Sequence, residues 1–129
     1  MTDFATLEKR WRLLRALQDC NYDFGPIARA NYEYECAESE ARGNKDDPRL
    51  RAAHERCSKA DDHGYRTYDE PAADAAITLV NFPAPDVAAV QVKIEAIKHH
   101  ELDNYLPVKG EPFDFIEADV KRLLGELER

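Results

Sequence analysis

Four side chains in the middle of the chain have the types and spacing of a metal site: His54, Cys57, Asp61 and His63. His54 and Cys57, three residues apart, share one face of a helix, and Asp61 and His63 reach round from the loop that follows. Zinc accepts such a mixture of nitrogen, sulfur and oxygen donors. Cys57, however, also falls on the apolar stripe of its own helix, where packing alone accounts for it. The segments HERCSK (54–59) and HHELDN (99–104) open like the H-E-x-x-H of zinc peptidases, but neither has the second histidine. The expectation is no metal site and no cofactor.

Glu95, His99, His100 and Glu101 form the second cluster. General acid–base work would need it in a cleft with a shifted pKa. A solvated helix end, with histidines meeting the negative end of the helix dipole, explains the same residues without catalysis. A small enzyme using His99, His100 and Glu101 is therefore an alternative, and no catalytic residue is assigned. Glu-x-x-His pairs, which a di-iron bundle would require on two helices, are absent, as are the phosphate-binding glycine loops and the nucleophile elbow. Tyr22, Tyr32, Tyr34, Tyr65, Tyr68 and Tyr105 fall near helix ends and loops, positions that suit either a core boundary or a protein interface.

The elements that position these groups read as helices throughout. Phe4, Leu7, Trp11, Leu14 and Gln18 step by 3 and 4, with Leu17 widening the stripe, and Thr2 or Asp3 caps the start. Trp11, central on that stripe, is a core anchor. Gly25-Pro26 ends one helix and opens the next, whose stripe is Ile27, Ala30, Tyr34, Ala37 and Ala41; a single helix over 3–42 kinked at Pro26 is the alternative. Asp47 caps a third helix with Pro48 in its first turn, and Leu50, Ala53, Cys57 and Ala60 line it; Gly64 is expected to end it. Residues 43–68 have the weakest stripe and are the expected mobile or inserted segment.

Pro71 then opens a helix of ten to twelve residues through Ala73, Ala76, Ile77 and Val80. Pro83 forbids its continuation, and Pro85 is expected in the first turn of the next helix, with Asp86 against its positive end. Pro83-Ala84-Pro85 is thus a stop and a start between two antiparallel helices. Val87, Val90, Ile94 and Ile97 make the next stripe. Phe113, Ile116, Val120, Leu123, Leu124 and Leu127 make the strongest stripe, on the last helix.

At 129 residues, 43% hydrophobic and 34% charged, the chain suits one folded domain over 1–129. Its net charge of −8 disfavours nucleic-acid binding through phosphate neutralisation. Residues 67–129 hold six basic and thirteen acidic groups, so a nucleic-acid mimic remains open. Three cysteines without a C-x-x-C pair read as reduced thiols. A start without an apolar leader, and apolar runs too short to cross a bilayer, place the chain in the cytoplasm as an expectation.

Trp11, the Pro83-Ala84-Pro85 turn, Lys93 and Asp119-x-x-Arg122 carry a resemblance. The chain resembles a diffuse group of short, uncharacterised helical proteins of bacteria and their integrated phages. That resemblance implies a phage or mobile-element setting and carries over no catalytic residue. The reading is all-α, an irregular bundle of four to six helices. It is expected to act as a non-enzymatic interaction module with a protein partner or a second copy of itself; the alternative is an acidic phage-type inhibitor imitating nucleic acid to block a host nuclease or regulator.

Overall fold

The computed structural model describes residues 2–102 and 112–128. The class is all-α: six α-helices and no strand among the described residues. They are α1 (Phe4–Phe24), α2 (Pro26–Ala41), α3 (Pro48–Gly64), α4 (Glu70–Asn81), α5 (Val87–His100) and α6 (Pro112–Leu127). The residues fall into two compact units, one from 14–71 and the other from 1–13 together with 72–129.

Local chemistry fixes most boundaries. The Asp3 carboxylate accepts the Thr6 N–H at 2.8 Å, satisfying one of the open donors at the start of α1. Gly25 is extended (φ −84°, ψ −175°) and Pro26 sits in the first turn of α2, so α1 and α2 are two helices rather than one kinked rod. A side chain at Gly25 would come within 2.6 Å of the Asn21 carbonyl oxygen, which is why the break falls on glycine. Asp47 caps α3 through the Arg49 N–H at 2.9 Å, with Pro48 following it.

Two boundaries differ from the sequence reading. Gly64 does not end the helix: it keeps right-handed helical angles (φ −61°, ψ −43°), and the chain runs on through a π-helical turn, Tyr65–Asp69, into α4. The wider turn accommodates Pro71, which has no N–H to donate to the preceding turn and would clash with it in a regular α-helix. Gly64 is there for room, since an added methyl would lie 3.0 Å from the Asn21 amide nitrogen. Pro85 likewise lies outside α5. Asp86 is the cap, its carboxylate accepting the Ala89 N–H at 2.8 Å, and α5 begins at Val87.

In the unit of 14–71, α2 and α3 lie along each other through small residues, with Ala30, Ala41 and Ala53 buried. Exposed pairs, Arg56 with Glu33 and Arg49 with Glu40, both at 3.3 Å, decorate this contact and add little to it. In the other unit the core is Phe4, Trp11, Ala76, Leu79, Val80, Ala96, Ile97 and Leu102. Ala72, Ala75 and Ala76 on α4 and Ala89 and Ala96 on α5 are buried alongside Leu79, Val80 and Ile97.

Candidate functional site

The two residue clusters weighed in the sequence do not assemble. His54, Cys57 and His63 each have a local occupation instead, and Asp61 is exposed. His54 stacks edge-on to Tyr34 with ring centroids 6.0 Å apart. It lines an open hollow of about 410 Å³ with Lys45 and Arg51, company that is cationic rather than metal-binding. The Cys57 thiol donates to the Ala30 carbonyl at 3.2 Å, and His63 stacks edge-on to Tyr68. Among the described residues no three His, Cys, Asp or Glu groups are placed to share a metal ion. All three cysteines are free thiols.

His99, His100 and Glu101 are adjacent but do not converge. His100 Nε2 accepts the indole N–H of Trp11 at 2.8 Å, which gives the buried tryptophan its polar partner. His99 is exposed and stacks edge-on to His100 at 4.6 Å. Glu101 closes α5 in a left-handed conformation (φ 51°), donating its N–H to the helix carbonyls. Glu95 is exposed and accepts from Arg12 at 3.3 Å. Tyr22, Tyr32 and Tyr65 are exposed, Tyr34 and Tyr68 half-buried, and Tyr105 lies outside the described residues.

One polar group that sequence periodicity treated as ordinary is the most organised in the structure. Lys93, on α5, and Asp119, on α6, are only 1% and 4% exposed, and Lys93 Nζ lies 2.5 Å from Asp119 Oδ2. The other oxygen of Asp119 accepts the Ala84 N–H at 3.1 Å and the Arg122 guanidinium at 3.2 Å. Arg122 also donates to the Ala84 carbonyl. Both backbone groups of a fully buried turn residue are therefore satisfied by side chains of α6. Burial lowers the Lys93 pKa, while the Asp119 carboxylate opposes that shift. Of the residues that carried the sequence resemblance, Ala84, Lys93, Asp119 and Arg122 meet at one place, while Trp11 lies against His100. Periodicity held a signal for this: Lys93 lies one residue before Ile94 in its stripe, and Asp119 one before Val120.

This clamp decides how α6 sits. The helix buries Pro112 and Asp119 rather than its apolar stripe. Phe113 is 53% exposed, Val120 41%, Leu124 54% and Leu127 82%, and Val87 at the start of α5 is 65% exposed. Val87, Val90, Val120, Leu123, Leu124 and Leu127 line an apolar groove of about 130 Å³ between the two helices. The strongest hydrophobic stripe in the sequence is consequently not core; it forms most of an open surface.

Compared with protein-family models, with curated proteins and with solved structures, the chain matches none. Among the described residues no helix is long and apolar enough to cross a membrane.

Proposed function

We propose that this protein is a non-enzymatic helical interaction module whose contact surface is the apolar groove between α5 and α6. The observation that carries the reading is the inversion on α6. An ion pair and a backbone clamp anchor the helix from within, and Val120, Leu124 and Leu127 face outward. Contiguous exposed apolar side chains rimmed by charge are the usual mark of a protein-binding face. The exposed tyrosines of the other unit, Tyr22, Tyr32 and Tyr65, suit the same role.

The phage or mobile-element setting and a cytoplasmic location belong to this proposal as well. Imitation of nucleic acid is the weaker reading, because acidic groups near the groove already have partners within the chain. Asp119 is clamped, Asp86 caps α5, Glu117 pairs with Lys121 at 3.0 Å and Glu126 with Arg122 at 3.5 Å.

Site-specific photocrosslinking in cells tests the reading. A photoreactive phenylalanine analogue at Leu124 is expected to capture a protein, either a partner or a second copy, whereas one at exposed Glu55 on α3 captures none. Equal labelling from the two positions would count against the groove as the contact surface.

A further inference from the structure

Resting on that reading, we propose that the occupant of the groove is a second copy of this chain, lying antiparallel along α6. At 3.6 residues per turn, Phe113, Val120, Leu124 and Leu127 fall within about 60° of one another around the helix, over a length of about 21 Å. A strip of this kind complements itself. Turned end for end about Val120, it brings Phe113 of each copy to Leu127 of the other and Val120 to its own equivalent, the geometry of a closed two-fold contact.

The flanks choose the direction. One side of the strip carries Leu123 and, across the groove, Val87 and Val90. The other carries Glu117 and Lys121, whose side chains are 64% and 75% exposed. In the antiparallel two-fold arrangement each flank meets its own equivalent. Glu117 of one copy then faces Lys121 of the other, twice, and the valine flanks close on each other. A parallel two-fold pair would instead press the charged flank of each copy onto the valine flank of the other, taking the Glu117–Lys121 pair out of water with no charge on the facing copy to meet it.

Sedimentation equilibrium at ionic strength near about 0.15 M, where screening limits repulsion between two chains of net charge −8, reads the association directly. Over about 1 µM to 1 mM the mass is expected to rise from 14.8 kDa toward twice that value. Leu127→Glu is expected to keep the protein monomeric with its helical circular dichroism unchanged. Glu117→Lys weakens the dimer about fivefold by setting lysine against lysine, and Glu117→Lys with Lys121→Glu restores it. In a Cys20→Ser/Cys36→Ser background treated with diamide, which takes up the two electrons and two protons, Val120→Cys forms a dimer-linking disulfide and Leu127→Cys does not. A wild-type chain that stays monomeric at the highest concentration, or a dimer indifferent to Leu127→Glu, overturns the proposal. Nile red fluorescence separates the two levels of failure. A monomer whose dye binding is lost in Leu127→Glu leaves the groove as a contact surface for another protein, while a monomer that binds no dye removes the interaction reading too.

Discussion

Lys93 and Asp119 form a 2.5 Å ion pair that solvent hardly reaches, and the carboxylate divides its two oxygens between the lysine and the Ala84 backbone with Arg122. The arrangement joins two helices to the turn between α4 and α5, so its removal is felt in all three places.

Lys93→Met leaves a buried carboxylate without its main counter-charge. It is expected to cost about 3–5 kcal/mol in urea unfolding. Lys93→Met with Asp119→Asn should recover more than half of that loss, because the amide oxygen still accepts the Ala84 N–H. Asp119→Leu in the same background should recover less, since it strands a buried backbone donor at about 1–3 kcal/mol. Equal stability of the two double variants would show that the Ala84 contact contributes nothing.

The pH dependence has a definite sign. The folded state lowers the Lys93 pKa below its ordinary 10.5, so the unfolded chain binds more protons between the folded value and 10.5. The contribution of this lysine to stability is therefore smallest below that window and grows as pH rises through it. Carbon-13 titration of the Lys93 side chain is expected to give a midpoint below 10.5, and a midpoint above it would reverse the prediction. Asp3 and Asp47 act in the acid range, and there too stability rises with pH. Hydrogen bonds from Thr6 and Arg49 hold their carboxyls below 3.8. Their stabilisation is present above 3.8 and is lost as pH falls through the lower folded values, an effect that Asp47→Asn should remove.

Trp11 is fully buried and is the one tryptophan of the chain. Its fluorescence is accordingly expected to be blue-shifted and shielded from iodide. Trp11→Ala should cost about 3–5 kcal/mol by leaving a cavity. His100→Ala should cost about 1–3 kcal/mol through the indole N–H left without its acceptor, with circular dichroism and thermal unfolding as the readouts.

Gly25→Ala is expected to destabilise by about 1–3 kcal/mol, and alanine is in any case a poor residue at the N-cap position that Gly25 holds. Its methyl would press on the Asn21 backbone, which belongs to the last turn of α1 and has little freedom to yield. A neutral or stabilising outcome in denaturant unfolding would mean that the α1–α2 corner relaxes freely.

Helices were legible wherever a local device fixes them. Asp3, Gly25-Pro26 and Asp47-Pro48 act within a turn of themselves, so their roles are visible in the residue order. Gly64 was read as the end of a helix because glycine usually is, while Pro71 does stand near the start of α4. At Gly64 the deciding factor is the Asn21 side chain, more than forty positions earlier in the chain. Pro85 lost its expected place to Asp86, the stronger cap. The α6 stripe was legible as a stripe but not as a surface, since periodicity gives the apolar side of a helix and not which side its neighbours cover. The clamp was half legible: Lys93 and Asp119 were noted, and their meeting depends on how α5 and α6 pack.

The bond between Trp11 and His100 spans 89 positions of sequence, and it sets an order of events at the ribosome. Residues 14–71 are contiguous, and α2 and α3 can pair as soon as they emerge. The unit that contains Trp11 waits for the close of α5, so a nascent chain carries this aromatic uncovered until His100 has emerged.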